Sequence, residues 1–106
     1  MVKEILTGAG FTEGKTFKET RFIKPPNTTY AVYLDSFTSR GADNLNLMKE
    51  HDYTIELYSC KSDATAESKI ENELDKRGIE YDKAERYWIQ EEQLYQVIYT
   101  FNFIEK

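Results

Sequence analysis

The sequence predicts an α+β domain of two layers, a mainly antiparallel sheet with one principal helix packed on one face. Three observations carry this expectation. Segments 29–35, 53–60 and 94–104 alternate apolar and polar residues with the period of a half-buried strand. Segment 64–77 instead places Ala66, Ile70 and Leu74 at i, i+4 and i+8, a narrow apolar stripe on a helix. Aromatic residues make up 14% of the 106, with 8 Tyr and 6 Phe, and these types favour strands and large packing surfaces. No Gly/Ser-rich linker, internal repeat or low-complexity block divides the chain, so residues 1–106 read as a single domain with one core. Packed compactly, such a domain has a radius of gyration of about 13 Å.

The expected element order is α-β-β-β-α-β-β. Residues 2–7 read as a short helix with Val2, Ile5 and Leu6 on one side, ended by Gly8 and Gly10. Thr20 to Lys24 has strand-forming residues and stops at Pro25-Pro26, since proline cannot donate to a ladder. Asn27-Thr28 turns the chain into 29–35, where Tyr30, Val32 and Leu34 oppose Ala31, Tyr33 and Asp35. Residues 36–46 read as a loop, followed by a strand from Tyr53 to Cys60 in which Tyr53, Ile55 and Leu57 alternate with Thr54, Glu56 and Tyr58. The helix that follows starts at an N-cap, Asp63, with Glu67 near the positive end of its dipole. Gly78 stands where a left-handed C′ residue belongs, and Ile79 where it contacts Leu74 as in a Schellman motif. A strand over Ile79 to Gln90, a connection at Glu91-Glu92-Gln93 and a long strand from Leu94 to Ile104 complete the sheet. One apolar stripe cannot cover both faces of that sheet, and which face is core stays open.

With 14 basic and 19 acidic residues the net charge is −5, which argues against binding nucleic acid through its phosphates. No apolar run is long enough for a transmembrane helix, and Met1 to Leu6 lacks the apolar stretch of a signal peptide. A single cysteine, Cys60, cannot form an intrachain disulfide and suits a reducing, cytoplasmic site of synthesis. His51, the only histidine, lies among charges and reads as a solvated turn residue before it reads as a general base. Cys60 reads as a small buried hydrophobe before it reads as a reactive thiol beside Lys61. The carboxylate pairs Glu67/Glu71 and Glu91-Glu92 read as solvated surface, because acid–base chemistry needs two carboxylates across a cleft. Neither GxGxxG nor GxxxxGK[ST] is present, and one Cys with one His makes no usual structural zinc site. No catalytic, cofactor-binding or metal-binding residue is predicted, and the chain is not read as an enzyme.

Two features point to a protein partner. Tyr95, Tyr99 and Phe101 share one face of the last strand, which has no Lys or Arg before Lys106 to support base stacking. They read as core first and as a partner surface second. Segment 37–49 mixes Phe37, Leu45, Leu47 and Met48 with Arg40, Asp43 and Asn44, and reads equally as a pinned loop and as a segment that orders on a partner.

Over nearly its full length the chain resembles the small structural proteins of tailed bacteriophages and prophages, the tail-terminator (tail-completion) and head–tail joining group. The likeness lies in a Pro-rich turn before Tyr30-Ala31-Val32-Tyr33, the Arg40-Gly41-Ala42-Asp43-Asn44 loop and the strand Tyr53-Thr54-Ile55-Glu56-Leu57-Tyr58. It continues through the acidic helix to Glu92-Gln93-Leu94-Tyr95-Gln96-Val97-Ile98-Tyr99. The resemblance implies a non-enzymatic homo-oligomeric ring, commonly a hexamer in tail terminators, that caps the tail tube, stops its growth and docks the head connector. The partners it implies are further copies of the chain, the tail-tube protein and the head connector or completion protein, with no cofactor, membrane or specific nucleic acid. The location it implies is the virion, at the tail or head–tail junction, after assembly in the bacterial cytoplasm. An acidic lumen, a hypothesis from net charge alone, would avoid holding DNA in passage; neutral or basic residues lining the ring would defeat it. The residues themselves leave an alternative, a small monomeric adaptor or regulatory domain binding one protein through its aromatic sheet face or the 37–49 loop.

Overall fold

The computed structural model describes residues 1–40 and 48–105, with 37–40, 48–49 and 104–105 described by backbone alone. The elements are α1 (Val2–Gly8), β1 (Phe17–Glu19), β2 (Tyr30–Arg40), β3 (Met48–Ser59), α2 (Ala64–Lys76), β4 (Asp82–Lys83), β5 (Tyr87–Ile89) and β6 (Leu94–Glu105). All six strands belong to one sheet of order β1-β2-β3-β6-β4, with β5 also paired to β6. Because β3 occupies one edge of β6 from Tyr95 to Glu105, β4 and β5 share its other edge. The β1–β2 pair is parallel and the other pairs are antiparallel, so the fold is α+β with a mostly antiparallel sheet.

The register settles which face is core. Ala31, Leu57 and Val97 lie in one row across β2, β3 and β6; Tyr33, Ile55 and Tyr99 form the next, and Tyr53 and Phe101 continue it. All are buried against Val2, Ile5 and Leu6 of α1 and Ala66, Ile70 and Leu74 of α2. A slip of one residue in any strand would turn its share of this set to the opposite face, so burial itself holds the register.

The ends of α2 follow the sequence expectation. Asp63 accepts a hydrogen bond from the Ala66 N–H at 3.0 Å, and its other carboxylate oxygen accepts from Thr29 Oγ1 at 2.8 Å. The cap therefore also ties the helix to the chain entering β2. At the other end Gly78 has φ +68, the Ile79 N–H donates to the Leu74 carbonyl and the Gly78 N–H to that of Asp75, both at 3.0 Å. This is the Schellman pair of bonds.

Four expectations are corrected. The strand placed over Thr20 to Lys24 lies earlier, at Phe17–Glu19, because Thr20 takes φ 69 and ends the extended run. Residues 36–40 and 48–52 are strand rather than loop, paired from Ser36↔Asp52 to Arg40↔Met48, so the hairpin runs well past its apolar alternation. The strand over 79–90 is two short ones, β4 and β5, parted where the Ala84 N–H bonds the Ile98 carbonyl at 2.9 Å and Arg86 turns toward α2. The molecule is also more extended than a compact domain of its length, with a radius of gyration of 14.9 Å and extents of 49 × 29 × 24 Å.

Candidate protein interface

The sheet face turned away from the helices carries Tyr30, Val32 and Leu34 of β2, Thr54, Glu56 and Tyr58 of β3, and Gln96, Ile98 and Thr100 of β6, in aligned rows. Its aromatic end is ordered by ring contacts. Tyr30 stacks on its cross-strand partner Tyr58 at 5.1 Å, and Phe22 meets Tyr30 edge-on at 5.4 Å. Tyr58 Oη donates to Glu56 Oε1 at 2.8 Å and accepts from Gln96 Nε2 at 2.9 Å. Burial pushes the Tyr58 hydroxyl above its ordinary pKa, and the Glu56 carboxylate that accepts its proton adds to the rise. Segment 20–27 folds over this end and leaves a groove of about 600 Å³, walled by Phe22, Pro25, Tyr30, Tyr58 and Leu94. Beyond the groove no helix covers this face among the described residues, and Leu34 is exposed on it.

A cluster of charges sits on the other side, between α2 and the β4–β5 edge. The Glu67 side chain is only 5% exposed and accepts from Lys83 Nζ at 3.0 Å and from Arg86 Nε at 2.7 Å. Lys83 Nζ also lies 2.7 Å from Glu71 Oε2, which accepts the Tyr99 hydroxyl at 2.7 Å. The Arg86 hydrogen bond holds the Glu67 carboxyl below its ordinary pKa against the opposing effect of burial. Glu71 and then Glu67 hold Lys83 above its own. Burial and the Glu71 carboxylate push the Tyr99 hydroxyl up. Every group in the cluster has a partner of opposite charge or matching donor and acceptor character, so it locks the helix to the sheet edge. The expectation of a solvated Glu67 is corrected: its cations lie sixteen and nineteen residues further along the chain, beyond any local pattern.

The residues singled out from the sequence part company. Tyr99 (0% exposed) and Phe101 (5%) are core, because their face of β6 is the one that α2 covers; the reading of these two as partner surface is corrected. Tyr95, half-buried at the end of that face, meets Trp88 edge-on at 4.8 Å. Phe37 and Arg40 lie on β2 and Met48 on β3, with Phe37 opposite His51 and Arg40 opposite Met48. Asp43, Asn44 and Leu47 fall outside the described residues. His51 is not a solvated turn residue. It continues the inward alternation of β3, lies parallel to Tyr53 at 5.2 Å, and its Nδ1 is 2.8 Å from Asp35 Oδ1. Cys60 is exposed just past β3 rather than buried. Among the described residues no group of three or more His, Cys, Asp or Glu gathers as a metal site, and no helix is long and apolar enough to cross a membrane.

Sequence reasoning missed the groove, whose walls come from three separate segments, and the exposed pair Tyr87 and Trp88 on β5. They stand in a continuous apolar run, Tyr87-Trp88-Ile89, and nothing local showed that β5 would be an outermost strand. Known protein families give no match to this sequence, and no curated protein matches it.

Proposed function

We propose that this chain is a non-enzymatic structural protein of a tailed phage or prophage, a tail-terminator (tail-completion) or head–tail joining protein. It assembles as a ring at the end of the tail tube, stops tube growth and docks the head connector. The observation that supports this reading is the sheet that, among the described residues, helices cover on one face only. An antiparallel sheet tolerates water on a polar face, but here the open face carries the exposed Leu34 and the half-buried Ile98 beside the aromatic groove. A neighbour is the natural cover for such a face, and a repeated heterologous contact that closes on itself generates a ring. In this reading the partners are further copies, the tail-tube protein and the head connector, and the protein works in the virion after assembly in the host cytoplasm.

The test is the mass in solution by light scattering over a range of concentrations, alone and with tail-tube or connector protein. A ring of about six chains, or a monomer that becomes one on adding either partner, supports the proposal. A monomer at every concentration that ignores both overturns it. That outcome favours a monomeric adaptor holding one protein partner through the groove.

A further inference from the structure

We propose that successive copies of the chain meet edge to edge, the basic β1 edge of one against the acidic β4–β5 edge of the next. This rests on the ring reading and names the contact that would build the ring. The sheet order puts β1 at one end and β4 with β5 at the other. Around β1, segment 13–24 carries Lys15, Lys18, Arg21 and Lys24 against Glu19 and Glu13, the latter bridged to Phe17 and paired with Lys3, and all six of these charged residues of the segment are exposed. None of the segment's cations forms an ion pair among the described residues. At the opposite edge, Glu80, Asp82, Glu85 and Glu91 are all exposed. The two cations of that stretch, Lys83 and Arg86, are turned inward onto Glu67 and Glu71. Pairing with Glu67 and Glu71 thus offsets these two cations and leaves the remaining carboxylates of the β4–β5 edge in excess.

The apolar side chains match the charges. Tyr87 is 64% exposed on β5 with Trp88 beside it, and Ile23, 83% exposed, stands among the cations of the other edge. Tyr and Trp are favoured at the centre of protein interfaces, and a Lys or Arg over such a ring adds cation–π attraction. The arrangement also selects the polarity of association. Two acidic edges repel, as do two basic ones, so an isologous two-fold contact through either edge is disfavoured and the head-to-tail contact is favoured. A second copy is the occupant because it supplies both complementary surfaces at once.

Charge reversal of the full-length chain tests this. K15E/K18E/K24E makes both edges acidic, and D82K/E85K/E91K removes the acidity of the β4–β5 edge; all six positions are exposed, and circular-dichroism spectra that match the wild type's establish that both variants fold. At about 0.1 M salt each variant alone is expected to self-associate about tenfold more weakly than the wild type, or less still. Their equimolar mixture is expected to recover assembly, because each then supplies the edge the other needs. A wild type that assembles while both variants assemble equally well overturns the edge contact and leaves the ring reading standing. A mixture that stays monomeric when the wild type assembles overturns it as well. A wild type that never assembles, with tail-tube or connector protein present, overturns the ring reading and this contact together.

Discussion

Glu67 shows how one buried carboxylate organises a polar edge. It faces Lys83 and Arg86 from within the helix layer, and both cations keep part of their side chains in water. Removing the charge leaves Arg86 without its carboxylate, whereas Lys83 still has Glu71. Glu67→Gln is therefore expected to lower stability by about 1–2 kcal/mol, below the full cost of breaking a wholly buried pair, which thermal unfolding measures. The pH dependence has a definite sign. The folded-state pKa of Glu67 is lowered, first by the Arg86 hydrogen bond, so its contribution is complete above the ordinary glutamate value of 4.5 and is lost as pH falls through the lowered one. Between about pH 5 and pH 3 the wild type should lose more stability than Glu67→Gln; parallel melting profiles would show that the pair carries no net charge coupling. This residue also marks a limit of sequence reading. Glu67 and Glu71 flank the Ala66-Ile70-Leu74 stripe, a place where a carboxylate can go either way, and only the fold of 82–86 against α2 decides for burial.

Local chemistry sets the ends of α2 strongly enough to be read from the sequence and to be tested. Gly78 holds φ +68 with open space where a Cβ would stand, so Gly78→Ala costs only the left-handed backbone penalty, about 1–2 kcal/mol. Gly78→Asn should cost less, because asparagine visits that region more readily; equal losses in denaturant melts would point to a different cause. Asp63→Ala removes both the cap on Ala66 and the acceptor for Thr29, and about 1–2 kcal/mol is expected. These ends were legible because caps depend on residues within a few positions of one another. So were the inward and outward faces of β2, β3 and β6, since burial on one side forces a period of two. The outer half of the β2–β3 hairpin was not legible, because Ser36, Thr38, Ser39 and Lys49 carry no apolar alternation and cross-strand pairing alone extends the strands there. The parallel β1 was hidden for another reason: three residues give too short a pattern, and its partner β2 follows only after the crossover of residues 20–29.

At the scale of the whole molecule, the sheet offers two ways of associating, and salt separates them. Contact through the open face would bury Leu34 and the rest of Ile98, and an apolar contact holds or strengthens as salt rises. Contact between the charged edges weakens as the Debye length falls from about 10 Å at 0.1 M to about 3 Å at 1 M. Association that requires the folded chain also stabilises it. Free partner at about 100 times Kd adds about 2.7 kcal/mol, worth roughly 10 °C in Tm for a chain of this length. If the edges build the ring, Tm should climb with protein concentration at about 0.1 M salt, and the climb should flatten at about 1 M. A concentration dependence that survives or grows at high salt would move the contact to the open face and the aromatic groove. Calorimetry at two concentrations and two salts distinguishes these, and the same samples give the mass by light scattering. The charge pattern fits a head-to-tail repeat: the sheet lies between a basic and an acidic margin, and only a head-to-tail repeat satisfies both on every copy.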